Sequence, residues 1–297
     1  MYGGASGHYR RKNTEIRAAV FCSGDRKSGG DCGNLPSSGS ADGQISDEAV
    51  HGAAYERRRG ADPGYVYDGG RLFRPAALGC ATQLLACSEA AADWLCGGTP
   101  FRRRVLVVRN GIDTERFRFD ERVRREVRRE LGVFPGTTLF GHVGRFCAVK
   151  NHPFLLRVFA AWEAEHPDSL LLLIGRGEGL DAARDLARDL GIGAKVRFLG
   201  LRRDIDRLLQ AIDLFVFPSF FEGLPVAVVE AQDSGTKVVC SDRVSAEAKL
   251  CDNLWFLPLE SGPAEWARRI ARLMQRFMSR WEIYLARSSF VKNRRIF

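Results

Sequence analysis

Beyond about residue 80, short apolar runs alternate with stretches of helical periodicity. The apolar runs predict strands at Gln83–Cys87, Val105–Val108, Thr138–Val143, Leu170–Ile174, Lys195–Leu199, Leu214–Phe217, Lys237–Cys240 and Leu254–Leu257. Between them, Leu155, Val158, Phe159 and Trp162 fall at i, i+3, i+4, i+7 and form one apolar stripe of a helix. Asn151 is the expected N-cap of that helix, with Pro153 in its first turn. Ser88 is placed to cap a helix running to Leu95, and further helices are expected at 181–190, 204–211, 226–234 and 263–277. Strand–helix alternation of this kind builds parallel strands joined by right-handed crossovers. The fold class is therefore α/β, a Rossmann-like doubly wound parallel sheet.

Residues 1–70 read differently. They are rich in Gly, Ser and charge, with Ala18–Cys22 as their one apolar run, and are expected to be irregular and to stand apart from the domains. Over all 297 residues, 45% are hydrophobic and 27% charged, which excludes a wholly disordered, collagen-like or coiled-coil chain. No apolar run approaches the ~20 residues of a membrane span, and no secretory signal is recognisable, so a cytoplasmic location is expected. The eight cysteines show no CxxC pair and no zinc-ligand spacing with histidine, so neither a metal site nor a disulfide framework is expected.

Net charge is +9, and the densest cationic run is Arg102–Arg129. Acidic residues interleave through its second half, as on a solvated, ion-paired helix face. The same run also suits anionic lipid headgroups, hence a peripheral contact with an anionic membrane at its inner face, or a phosphate-bearing substrate. Nucleic acid is not expected, since no binding motif or basic–aromatic interleaving is present.

Two strand-to-helix loops carry the candidate chemistry. In PSFFEGLPVAVVEAQDSG (218–235), Pro225 suits a first helical turn, so a helix starts at the carboxyl end of a buried strand, where such sheets bind ligands. Gly223 lets an anion approach the backbone, Leu224 follows it, and Glu222 and Glu230 bracket the helix start. In GHVGRFCAVKNH (141–152), Gly144, Arg145 and Lys150 sit on another such loop, and its two cations form a phosphate clamp that needs no metal. IGRGEG (174–179) has glycines that any strand–helix turn favours. RNGID (109–113) reads as an Asn-Gly turn. No G-x-G-x-x-G follows the first strand, which argues against a dinucleotide oxidoreductase.

These segments, together with ACSEAAADWL, VVRNGIDTERF and VRFLGLRRDIDRLLQAIDLFVFPSFFEGLPVAVVEAQ, stand in one order and include the E-x7-E pair. In this the chain resembles the retaining glycosyltransferases of family 4 that build bacterial exopolysaccharide and capsule, over roughly Arg71 to Met278. The resemblance implies a GT-B fold, with 71–118 as the remnant of an incomplete N-terminal acceptor-side domain and 119–297 as the nucleotide-sugar-binding domain. It implies a UDP-sugar donor, a lipid-linked or saccharide acceptor, and no metal or other cofactor. Arg145 and Lys150 would bind the diphosphate, Glu222 the donor hexose and Glu230 the ribose. Gly223, Leu224 and Gly144 would offer backbone contact, and Leu201 and Arg202 would lie along the base. Residues 1–70 match nothing in the family's N-terminal domain, so a catalytically inactive nucleotide-sugar-binding remnant is the alternative.

Overall fold

The computed structural model describes residues 19–21, 78–79, 81 and 83–276. Apart from Ala19–Phe21, the readings of residues 1–70 and of the chain end, including Cys22 and Cys32, lie outside the described residues, as does that of Cys80. The chain divides into two compact units between Val108 and Arg109, ahead of the boundary expected at 118/119.

In the first unit, β1 (Ala19–Phe21) pairs antiparallel with β2 (Gln83–Ala86), and β2 pairs parallel with β3 (Val105–Val107). Helix α1 (Glu89–Cys96) joins β2 to β3. Ser88 Oγ accepts from the Ala91 N–H at 3.0 Å, the cap its position predicts. Leu84, Ala91, Ala92 and Cys96 form the buried side.

The second unit opens with α2 (Glu121–Glu130) and then builds a six-stranded sheet. Its strands are β4 (Thr138–Val143), β5 (Ser169–Ile174), β6 (Val196–Gly200), β7 (Leu214–Phe217), β8 (Lys237–Ser241) and β9 (Leu254–Leu257). All are parallel, in the order β6-β5-β4-β7-β8-β9. The connecting helices are α3 (His152–Glu163), α4 (Leu180–Asp189), α5 (Ile205–Ala211) and α6 (Val226–Asp233), with α7 (Gly262–Arg276) last. Every residue of β7 is buried, as expected of a central parallel strand covered on both faces. Phe140, Phe159, Trp162, Leu171 and Trp266 anchor the core. This strand order reverses direction between β4 and β7, which opens a crevice beyond their carboxyl ends.

Two readings change. Asn151 stands at the N-terminus of α3 but in the left-handed region, φ 54°, and its side chain does not cap the helix. Its Nδ2 donates instead to the Pro218 carbonyl at 3.2 Å, across to the loop after β7. The arginines of α2 are not simply solvated either. Asp120 caps the helix, and Arg124 and Arg128 both turn inward onto Asp213, at the foot of β7. Arg128 Nη1 lies 3.0 Å from Asp213 Oδ2, which also accepts the Leu139 N–H at 2.8 Å. Both guanidiniums further satisfy the Ala211 carbonyl. One carboxylate thus ties α2 to the start of β4 and β7.

Asp213→Ala leaves two largely buried guanidiniums and one strand N–H short of an acceptor. It should lower stability by about 3 kcal/mol in equilibrium urea unfolding. A loss below about 1 kcal/mol would mean that water replaces the carboxylate at no cost.

Candidate functional site

Residues 144–151 leave β4 and residues 218–225 leave β7, one on each side of the crevice. Three contacts join these loops. The Phe220 N–H donates to the Val149 carbonyl at 2.8 Å, Asn151 reaches Pro218, and Lys150 Nζ meets Glu222 Oε1 at 2.5 Å. The two charged side chains are each 5% exposed. Lys150 Nζ also lies over the Phe217 ring, 4.8 Å from its centroid. Glu222 is held from the other side as well. It bridges to Val244, and its carbonyl accepts the Ser245 N–H at 3.0 Å.

Beneath the pair sits a feature that motif reading passed over. His142, on β4, is fully buried between Phe215 and Phe217 on one side and His152 on another. Its Nδ1–H donates to the Val216 carbonyl at 2.9 Å, which leaves Nε2 as a lone-pair acceptor, and that atom has no hydrogen-bond partner. Burial, reinforced by the charge of Lys150, pushes the His142 pKa down to about 4. His152 stacks on Phe146 at 4.0 Å and is held lower still by burial, His142 and Lys150. Both imidazoles are neutral at pH 7. The one sequence signal was a histidine in a strand whose neighbours are all apolar or Gly.

Gly144 has its N–H committed to the Ile174 carbonyl at 2.9 Å, so it extends the β4–β5 pairing. Its lack of a side chain matters more: a Cβ there would lie 2.8 Å from His142 Nε2 and 3.4 Å from Lys150 Cδ. Arg145 is exposed and pairs with Glu178 at 3.3 Å. The glycines of IGRGEG serve packing between loops. A Cβ on Gly175 would come within 1.9 Å of the Gly144 carbonyl oxygen, and one on Gly177 within 2.3 Å of that of Phe146. The Phe146 N–H donates to the Arg176 carbonyl, which locks the two loops together.

Gly223 and Leu224 are buried at the mouth of α6, with Pro225 at its N-cap position, one residue before the helix begins. Glu230 is half-buried on α6, where its charge reaches Arg116. Leu201 is 51% exposed, and Arg202 is exposed and grips Asp204 through two nitrogens, at 2.8 and 2.6 Å. RNGID is not the expected turn, since the backbone of residues 109–113 is irregular and the turn comes only after it, at 114–117. Asn110 Nδ2 instead reaches the Leu224 carbonyl at 3.4 Å and Arg109 meets Glu247 at 3.3 Å, so this segment lies along the loops after β7 and β8. Among the described residues no group of three or more His, Cys, Asp or Glu is arranged to hold a metal ion, and no helix is long and apolar enough to cross a membrane.

Chemically, the crevice offers a buried ammonium, a carboxylate able to accept hydrogen bonds from hydroxyl groups, and an exposed guanidinium fork, within two adjacent loops. Lys150→Met should lower stability by roughly 3–5 kcal/mol, because it strands the Glu222 carboxylate, and adding Glu222→Leu should recover most of that loss. Urea unfolding of the single and double variants measures both. The histidines give a second expectation. The unfolded chain takes up a proton near pH ~6.5 and the folded His142 only near pH 4, so stability falls as pH drops through that window. His142 accounts for about 3 kcal/mol of the fall, and His142→Phe should flatten that part of the stability–pH curve.

Residues 123–280, more than half of the chain, match the family described as glycosyl transferases group 1. The glycosyltransferase named EpsF of Bacillus subtilis is 36% identical over 203 residues, which cover 68% of this chain and 53% of that protein. The UDP-Gal:alpha-D-GlcNAc-diphosphoundecaprenol alpha-1,3-galactosyltransferase of Escherichia coli is 30% identical over 65% of this chain and 50% of its own length. The chain thus spans about half the length of the curated relatives it matches. Among solved structures, Anabaena Alr3699/HepE in complex with UDP and glucose superposes with a TM-score of 0.66 at 22% identity, over 77% of this chain and 63% of that one. The fold is that of the GT-B glycosyltransferases, and the chain belongs to the group 1 glycosyltransferase family.

Proposed function

We propose that this chain carries the donor side of a retaining hexosyltransferase, which moves a sugar from a UDP-sugar to a lipid-linked or saccharide acceptor in exopolysaccharide or capsule synthesis. The observation that carries the reading is the meeting of Lys150 and Glu222 at the switch point between β4 and β7, beside Arg145. The relatives' names and the UDP bound in a structural neighbour support the same donor class.

In this reading the diphosphate lies between the loops. Arg145 exchanges its exposed partner Glu178 for phosphate oxygens, and Lys150 supplies a second, fixed positive charge. Together they stabilise the negative charge that develops on the leaving diphosphate as the glycosidic bond breaks, without a metal ion. Glu222 accepts from donor-sugar hydroxyls, Glu230 from the ribose, and the backbone of Gly223 and Leu224 closes around the phosphates and sugar, while Gly144, its N–H held by Ile174, keeps the loop free of a side chain there. Leu201, with its apolar surface exposed, and Arg202 flank the base. The acceptor side falls to the rest of the protein, and the exposed arginines of α2 meet an anionic membrane surface.

Calorimetric titration tests the donor reading. Uridine should bind at least tenfold more weakly than UDP, since two charge-assisted contacts at ~1.5–3 kcal/mol each are lost. Arg145→Ala should remove most of that gap, and Glu230→Ala should weaken UDP and uridine alike. Glu222→Gln should chiefly reduce discrimination among UDP-hexoses. EDTA should leave UDP affinity unchanged. Loss of UDP binding in EDTA would overturn the metal-free diphosphate clamp.

A further inference from the structure

Two unmet polar demands lie side by side under Gly144. Lys150 is an ammonium with three N–H donors in a side chain 5% exposed, and among the described residues it makes one hydrogen bond, to Glu222. Its remaining surroundings include the face of Phe217, which attracts the charge but gives no lone pair. His142 Nε2 is the reverse case, a buried lone pair with no donor. The Nδ1–H bond to Val216 fixes that tautomer, and the rings of Phe215, Phe217 and His152 hold the imidazole in place. Both groups border the space that a Cβ on Gly144 would fill, with Nε2 at 2.8 Å and Lys150 Cε at 3.5 Å. A buried donor and a buried acceptor left unmade each cost free energy, so their approach is favoured.

We propose that His142 is a positioning residue for Lys150: its Nε2 accepts one ammonium N–H when a bound diphosphate draws Lys150 forward, so that Glu222, His142 and a phosphate oxygen share the three donors. The fixed imidazole then sets where the Lys150 charge stands. This rests on the diphosphate reading of the site, and it adds a residue on the strand below the loops. No bond other than hydrogen bonds changes in this step.

The test uses the full chain, with His142→Phe (ring kept, acceptor removed), His142→Gln (amide oxygen near the place of Nε2), Lys150→Met, and the His142→Phe/Lys150→Met double variant. Calorimetry reads binding of UDP, uridine and inorganic pyrophosphate, and circular dichroism reads folding. His142→Phe should weaken UDP and pyrophosphate about tenfold and leave uridine unchanged, since one hydrogen bond to a charged group is lost. His142→Gln should restore most of the affinity. The double variant should bind no more weakly than Lys150→Met alone, because the histidine acts through that lysine. If His142→Phe does not fold, His142→Asn replaces it; its amide keeps the Val216 bond but is too short to reach Lys150, so it should fail where His142→Gln succeeds. Unchanged UDP affinity in His142→Phe, an equal loss for uridine, or losses that add in the double variant would each overturn the proposal. A chain that binds pyrophosphate but not UDP would end the UDP reading, and the pyrophosphate series would still decide the role of His142. A chain that binds neither would end both.

Discussion

The site depends on one desolvated ion pair. Lys150 and Glu222 come from loops 72 residues apart and meet with almost no water around them. Removing a carboxylate and an ammonium from water costs several kcal/mol for each, and close mutual contact offsets that cost only when both are present. Each loop therefore needs the other. The contacts that flank the pair, Phe220 to Val149 and Asn151 to Pro218, follow from the same approach of the two loops. The left-handed backbone of Asn151 is part of this arrangement, because it turns the amide away from the helix it precedes and toward the neighbouring loop.

The sheet order makes the meeting possible. With β4 and β7 adjacent and their onward connections diverging to opposite sides, two loop mouths are left open side by side. The loop after β5 then supports the loop after β4 from below. It comes so close that side chains at Gly175 and Gly177 would collide with backbone carbonyls. The support is a matter of backbone shape, and it sets where Arg145 stands at the rim. At the far end of the same strands, Asp213 with Arg124 and Arg128 anchors β4 and β7 to α2. Charged groups thus tie the strand pair at both ends, and the apolar core lies between.

Much of this architecture was legible in the sequence. β4, β7 and β9 begin and end at the residues their apolar runs predict, and in β7 burial of all four residues leaves no polar position to blur the limits. The residues proposed for the donor site were legible as motifs, but their pairing was not. Nothing local tells Lys150 that its partner is Glu222 rather than a phosphate; strand order decides that. Asn151 takes the N-cap position its sequence predicts but without the side-chain cap, because Asn serves equally as a capping and as a left-handed residue. The arginines of α2 show the same limit, since Arg122 and Arg124 look alike in a charge pattern and only packing separates them. His142 carried too little signal, as a lone histidine in a strand is usually a satisfied core residue. Its unmet Nε2 emerges only from the three-dimensional arrangement.

Stability alone gives no reason for an ion pair at the switch point. Two apolar side chains of similar volume would be as stable there, or more so. What an apolar pair lacks is the capacity to exchange partners. An ammonium held by a carboxylate can turn one of its donors to a phosphate while it keeps another on the carboxylate, whose remaining lone pairs can accept from hydroxyl groups on the same ligand. Such sharing leaves both buried groups hydrogen-bonded from the empty to the occupied state. A neutral imidazole beneath it suits this role better than a third charged group: it accepts a hydrogen bond from the moving ammonium without changing the total charge of the crevice. Burial keeps His142 in that neutral form well below pH 7, so the stacking against Phe215 and Phe217 that looks like core packing also sets the electrostatics of the site.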